Sequence, residues 1–265
     1  MTPGFRMPSQ FAASARNSAP AVLSVAVLLL AWEGYARFSG IDAAMLPPPS
    51  RVFAQGFLNR SALLDNAVPT LEATCLGFAL SLALAFALSV AVDFSGLVRR
   101  ALLPVFVITQ TLPLVAIAPL VVLWFGFGLL PKILLVALVT FFPMLVALVE
   151  GYEATAPELS AVLRSMGANR WRIFRMARLP TALPYFFAGL RISITYAVVG
   201  AIFAEYAGAA KGLGIYMLSA KNNFRPDLVL AAVAVSAALT LALFGLTIVV
   251  RRLVMPWERI ERRQA

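Results

Sequence analysis

Histidine is absent from the 265 residues, and cysteine occurs once, at Cys75. The first absence excludes zincin-type and Ser-His intramembrane proteases, and phosphatases that work through a histidine. The second excludes a disulfide within the chain and any metal site built from several thiolates. No Gly-x-x-x-x-Gly-Lys-[Ser/Thr] loop occurs, so the chain does not hydrolyse ATP through that motif. There is no internal repeat of useful length and no low-complexity tract. Charge is scarce: Asp, Glu, Lys and Arg make up 13% of the chain, against roughly 25% in ordinary globular domains. With 61% hydrophobic residues and a mean hydropathy of +0.87, most of the chain must face lipid or other apolar helices. The charge that remains is one-sided, 22 Lys+Arg against 12 Asp+Glu, for a net +10. In a membrane protein such an excess reads first as an orientation signal.

A membrane helix needs roughly 20 mostly apolar residues, and charge-poor runs of that order occur at 18–38, 73–92, 101–131, 133–149, 179–204 and 228–250. The sequence therefore predicts an all-α integral membrane protein with six transmembrane helices. The third run carries Pro104, Pro113 and Pro119 and reads as one kinked helix followed by a loop at Gly126-Phe127-Gly128. The first run follows a long charged leader with no convincing small-residue cleavage site, and reads as a retained anchor rather than a signal peptide. Small residues in the second run (Gly77, Ala79, Ala83, Ala85, Ala87) are expected at close helix contacts.

Orientation follows from the short loops. With both ends cytoplasmic, the inner segments hold Arg6, Arg16, Arg99, Arg100, the arginines of 164–178 and those of 251–263. The outer segments hold Arg37, Arg51, Arg60, Lys132, Lys211, Lys221 and Arg225. The asymmetry favours N-in/C-in. The expected organisation is a cytoplasmic N-terminal tail (1–17), a six-helix domain (18–250) and a basic cytoplasmic C-terminal tail (251–265). The outer segment 39–70 reads as a loop with an extended triple proline and a short interfacial helix over 52–58.

The inner segment 150–184 is the most informative. Pro157 suits the first turn of a helix, with Glu158 beside it to complement the positive dipole end. Leu159, Val162, Leu163 and Met166 then form an apolar stripe at helical spacing. Gly167 ends that helix as a left-handed cap. Asn169 caps a second helix with Trp171, Ile173, Phe174 and Ala177 as its apolar members, and Pro180 and Pro184 are expected to end it before the fifth span. On composition this is either an amphipathic hairpin lying on anionic headgroups or a docking element for a soluble partner, since Arg164, Met166, Ala168, Arg170 and Trp171 mix residue types found at interface hot spots.

The same stretch resembles the EAA loop of ABC-transporter permeases of the binding-protein-dependent importer class. That pattern runs EAA, three residues, Gly, nine residues, Ile-x-Leu-Pro, and Gly167, Leu179 and Pro180 fall in register. Ala161-Val162-Leu163 stands where the EAA tripeptide would be, and Ala177 stands at the Ile position, so Glu158 is the nearest acidic group to the expected contact. Further stretches (MLPPPSRVF, LWFGFGLLPKILLVAL, FFPMLVAL, RSMGANRWRIFR, LPYFFAGLRI) resemble the nitrate/sulfonate/taurine/thiamine-precursor permease family. GAIFAEYAGAAKGLGIYMLSAKNNF and LVMPW look closest to its thiamine-pyrimidine-precursor branch. The resemblance implies a multi-pass permease of a bacterial inner membrane, with 150–184 as a cytoplasmic helix-turn-helix coupling loop between helices 4 and 5. Two permease copies would pair, a pair of cytoplasmic ABC ATPase subunits would dock on the loops, and an extracytoplasmic substrate-binding protein would deliver the solute. Hydrolysis would reside in the ATPase; the permease itself would be no enzyme and would need no cofactor or metal. The coupling residues implied are Glu158, Arg164, Met166, Gly167, Ala168, Arg170, Trp171, Leu179 and Pro180. The solute implied is small and organic, first a thiamine pyrimidine precursor, with sulfonate, taurine, nitrate or a riboflavin-like molecule as alternatives.

Polar groups inside the spans are candidates for the path. Gln110, Thr111, Ser193, Thr195 and Tyr196 are neutral and suit transient binding; each is also an ordinary packing residue in a membrane helix. Arg191 meets an anionic solute, or pairs with Glu150 or a carbonyl to fix packing. Glu205 lines the entry to the path or caps the fifth span. A secondary transporter is the competing class. It would need repeats and acids at midplane, whereas the acids here cluster near span ends.

Overall fold

The computed structural model describes the backbone of residues 10–257, and the side chains of residue 20 and residues 22–257. Arg6, Arg259, Arg262, Arg263 and the side chain of Arg16, all part of the orientation signal, lie outside the described residues. Among the described residues the chain forms helices and no strand: α1 (Gln10–Phe38), α2 (Pro49–Leu58), α3 (Arg60–Phe94), α4 (Gly96–Thr111), α5 (Leu114–Phe125), α6 (Leu129–Glu153), α7 (Pro157–Ser165), α8 (Arg170–Ile173), a π turn (Phe174–Arg178), α9 (Leu179–Gly208), α10 (Leu213–Asn222) and α11 (Pro226–Val254). Four of these are long and apolar enough to cross a membrane: α3, α6, the joined stretch Arg170–Gly208, and α11; the bent pair α4 and α5 makes a fifth if counted as one span. On α1, Val22, Leu23, Val25, Leu28 and Leu30 are exposed.

Three expectations need correction. The second span starts at Arg60, well inside the segment expected as a loop. Its buried stripe (Leu63, Ala67, Thr70, Thr74, Gly77, Ser81, Ala85, Ser89, Val92) keeps helical spacing from end to end, so packing rather than hydropathy sets where the helix begins. The helix is 35 residues long, or about 52 Å at 1.5 Å per residue. The stripe also sorts the small residues: Gly77 and Ala85 are buried, while Ala79, Ala83 and Ala87 face outward.

The third run is broken rather than kinked, with α4 and α5 meeting at 103°. Pro113 has no N–H and pushes Leu112 into extended backbone (φ −77°, ψ 125°). Thr109 and Thr111 bond back to the carbonyls of Phe106 (2.7 Å) and Ile108 (2.8 Å), further loosening the turn. The loop at Gly126-Phe127-Gly128 is as expected, with both glycines at positive φ.

Finally, Pro180 and Pro184 do not end the second inner helix. Helix, π turn and span run on as one element from Arg170 to Gly208. The π turn widens the helix just ahead of Pro180, whose ring would crowd the carbonyl four residues earlier.

The chain divides into two compact units, one of Met1–Arg60 with Ala220–Ala231, the other of Ser61–Ser219 with Ala232–Ala265. In the second, α6 and α9 pack antiparallel along their length, glycine against neighbour. A Cβ on Gly151 would sit 2.6 Å from the Ala182 Cα, one on Gly189 2.7 Å from the Pro143 carbonyl oxygen, and one on Gly200 2.8 Å from Val139 Cγ2. Gly77 brings α3 equally close to α6, at Val136. In the first unit, Glu33 on α1 accepts from the Ser50 N–H (2.9 Å) and hydroxyl (2.8 Å) at the start of α2. Asp227 at the start of α11 is 1% exposed and holds Arg225 (3.0 Å) and Arg51 (3.5 Å).

Candidate functional site

At the N-terminal end of α9 the hairpin forms as local sequence dictates. α7 ends at Ser165, and Gly167 takes φ +81°. Its N–H reaches the Arg164 carbonyl (2.9 Å) and the Ala168 N–H the Leu163 carbonyl (2.9 Å), the two bonds of a Schellman turn. Nothing lies within 4 Å of where a Gly167 Cβ would be, so backbone conformation alone demands the glycine. Asn169 then caps α8, its side-chain oxygen accepting from the Arg172 N–H at 2.9 Å.

The two arms of the hairpin differ. On α7 no residue is buried, and Leu159, Val162 and Met166 are exposed, with Glu158 in the first turn. The Arg164 guanidinium bonds back to the Ser160 carbonyl (3.2 Å). The other arm is anchored: Ile173, Phe174 and Ala177 are buried. Phe174 packs edge-on to Tyr152 (5.3 Å) and Phe94 (5.5 Å), and stacks with Trp171 at 5.5 Å and 19°. Trp171 remains 56% exposed. Arg170 donates to the Asp93 carbonyl (3.2 Å) and lies over the Phe94 ring, and Arg178 pairs with the Asp93 carboxylate. Leu179 and Pro180 follow directly in the first turn of α9.

Asp93, Phe94 and Tyr152 were not among the expected site residues, though they fix the hairpin to α3 and α6. The available signal was charge: Asp93 is an acid at the C-terminal end of an apolar run, and the 164–178 segment is rich in arginine. Between Asp93, Ser160, Arg164, Ala168, Arg170, Ile173 and Arg178 lies an open polar cleft of about 370 Å³.

The expected path residues differ in exposure. Gln110, Thr111, Thr195 and Tyr196 are exposed. Ser193 is buried and donates to the Thr140 carbonyl on α6 at 2.8 Å, so it joins two helices. Arg191 is half-buried, with its guanidinium 6.0 Å from the Phe244 ring; among the described residues it is in no ion pair with Glu150 or any other acid.

Glu205 is fully buried near the C-terminal end of α9. It accepts from the Thr70 hydroxyl (2.8 Å) and the Gly214 N–H (2.7 Å), with the Lys132 ammonium at 3.8 Å. Lys132 also donates to the Lys211 carbonyl (3.1 Å), Leu213 N–H to Thr70 (2.8 Å), and Gly212 N–H to Asn66 (3.0 Å). The carboxylate thus caps the next helix and staples the 209–213 loop to α3 and α6; a Cβ on Gly212 would run into it. Lys132, read as a loop cation, is 8% exposed.

Comparison with known proteins adds an independent line. The family described as "Binding-protein-dependent transport system inner membrane component" matches residues 81–257. A probable ABC transporter permease protein of Haemophilus influenzae is 34% identical over 84% of this chain and 91% of its own length. A riboflavin transport system permease protein of Chloroflexus aurantiacus is 35% identical over 89% of each chain. A formylaminopyrimidine transport permease protein of Halalkalibacterium halodurans is 32% identical over 88% of this chain and 93% of its own. The matched region takes in the anchored hairpin, α9 and its buried carboxylate.

Proposed function

The chain belongs to the family of binding-protein-dependent transport system inner membrane components, and we propose that it forms the path of an ABC importer for a thiamine pyrimidine precursor. It is a multi-pass inner-membrane permease subunit and not itself an enzyme; ATP hydrolysis resides in a separate ATPase subunit, and a substrate-binding protein completes the importer. The observation that carries the substrate reading is neutrality. The exposed polar side chains Gln110, Thr111, Thr195 and Tyr196 carry no charge, and the nearby cation Arg191 stands over the Phe244 ring. A sulfonate or nitrate would favour a positive site. The formylaminopyrimidine permease is a relative over most of its length. The riboflavin permease supports a second reading, also a planar nitrogen heterocycle. Uptake of labelled pyrimidine, riboflavin and taurine by a strain lacking the gene, with and without complementation, separates these. Restored pyrimidine uptake is expected, and restored taurine uptake alone would overturn the reading.

Six spans follow if α1 and the bent α4–α5 pair each count as one, with α3, α6, α9 and α11 as the others. Both ends then lie inside, with tails at 1–17 and 251–265 around a domain of 18–250, and the hairpin of 150–184 projects into the cytoplasm. Two copies would face each other across a two-fold axis along the membrane normal, with lipid around them. Each hairpin docks on an ATPase through Glu158, Arg164, Met166, Gly167, Ala168, Arg170 and Trp171. Because α8, the π turn and α9 are one element, movement of the hairpin passes through Leu179 and Pro180 into the fifth span as a lever. Gln110, Thr111, Arg191, Thr195 and Tyr196 remain the proposed path residues; Ser193 and Glu205 act on it through helix positions. An Arg175→Cys variant should stay unlabelled by an impermeant reagent in intact cells, whereas a cysteine in the 39–46 segment ahead of α2 should react. Labelling at 175 would contradict this topology.

A further inference from the structure

We propose that α2 is a membrane-surface anchor, its Phe53, Phe57 and Leu58 seated in the headgroup–acyl boundary of an anionic phospholipid layer. The helix has two faces. Pro49 and Val52 are buried, and Gly56 lies 3.3 Å (as a Cβ would be) from the Ala231 methyl at the start of α11. On the opposite face Phe53 is 68% exposed, Phe57 67% and Leu58 72%. These apolar groups stay uncovered although both neighbours of α2 are tightly held.

Position argues for lipid. The Glu33 carboxylate of α1 binds the first turn of α2, Asp227 of α11 binds Arg51, and Arg225 just ahead of α11 binds Gln55. Glu33 lies close to where the long apolar run of α1 ends, and Asp227 where that of α11 begins. Both clamps therefore draw α2 to the level at which apolar helices leave the hydrocarbon, where an amphipathic helix lies in plane. Charge agrees. Within the described part of this unit Arg37, Arg51, Arg60, Lys221 and Arg225 outnumber Glu33, Asp42 and Asp227. Arg60 stands 4.5 Å over the Phe57 ring and forms no ion pair with a carboxylate among the described residues. Its guanidinium lies against the ring and donates once to the Phe57 carbonyl (3.3 Å), and its other N–H groups are placed to bind a phosphodiester. Size argues against a protein partner: a stable interface engages roughly 20–30 residues a side, and this face offers three large apolar groups.

The test uses the full-length permease with its ATPase in liposomes. Cys75, the single native cysteine, is replaced by Ser, and nitroxides are placed by Phe53→Cys, Phe57→Cys and, as a milder second site on the same face, Ala54→Cys. Retention of the ATPase checks that each labelled protein is folded. In phosphatidylethanolamine–phosphatidylglycerol liposomes the labels should collide more with oxygen than with a water-soluble nickel chelate. Arg60→Gln should shift the label at 57 toward the chelate, and more so with phosphatidylglycerol than in phosphatidylcholine. Three outcomes would overturn the proposal: greater chelate than oxygen access at all positions; protection that appears only when the binding protein is added; or label depth indifferent to both Arg60 and anionic lipid.

Discussion

The two ends of α9 are held by different physics. The N-terminal end is tied to α3 through the partly exposed Arg178–Asp93 pair and to α3 and α6 through an aromatic cluster of Phe94, Trp171, Phe174 and Tyr152. The C-terminal end centres on the buried Glu205, which accepts from a hydroxyl and a backbone N–H beside an ammonium, with Lys211, Gly212 and Leu213 bonded alongside to Lys132, Asn66 and Thr70. An attachment spread over several side chains, with Phe174 and Tyr152 buried and Trp171 exposed, loses them one at a time. Removing Glu205 takes an acceptor from three donors at once, although Lys132 and Thr70 each keep a second contact, to Lys211 and Leu213. Losses are therefore spread over many residues at the N-terminal end of α9 and concentrated on one at its C-terminal end.

That contrast sets the order of the expected effects. Glu205→Leu should be the most damaging, costing about 3 kcal/mol by leaving the Gly214 N–H without its acceptor and taking one partner each from Lys132 and Thr70. Reduced thermal stability in detergent and faster proteolysis within 209–213 would show it, and Glu205→Gln should recover part of the loss. Trp171→Ala should cost about 2 kcal/mol of ATPase binding if the exposed half of the ring is a docking anchor, with a smaller loss of stability through Phe174; co-purification measures the first and thermal melting the second. Gly167→Val should cost about 1–2 kcal/mol in backbone strain, while Gly167→Asn, which tolerates positive φ, should be milder in the same assays. Asp93→Asn should cost about 1 kcal/mol or less, since Arg178 is a third exposed. Arg172→Ala should change neither stability nor ATPase retention by more than about 0.5 kcal/mol, because that side chain is exposed. An Asp93→Asn effect exceeding that of Glu205→Leu would reverse the comparison.

The parts that were legible beforehand are those set by neighbouring residues. The Gly167 turn, the Asn169 cap, the buried trio Ile173, Phe174 and Ala177, and the short helix after the triple proline each rest on local spacing or capping chemistry. The family match, over residues 81–257, takes in all of these but the short helix. What the sequence hid depends on distant partners. Asp93 meets Arg178 from 85 positions away, and Glu205 meets Thr70 from 135; no periodicity reports such pairs. Ser193 and Thr195 looked alike as lining candidates, and only the position of α6 buries one and leaves the other exposed. The prolines misled in both directions. Pro180 and Pro184 sit in a continuous helix, as Pro69, Pro104, Pro119 and Pro143 do in theirs, whereas Pro113 follows an extended Leu112 and breaks its run.

The central claim is that the hairpin is the site through which a separate ATPase drives the span. Its most direct measurement is retention of the ATPase by Gly167→Val and Trp171→Ala permeases, purified from membranes at normal expression, alongside ATP-dependent uptake in liposomes with the binding protein. The account predicts that both variants insert but lose the ATPase and transport in parallel, with Arg172→Ala indistinguishable from wild type. Full retention and normal uptake in both would contradict it, and would leave the hairpin as an element of the membrane surface.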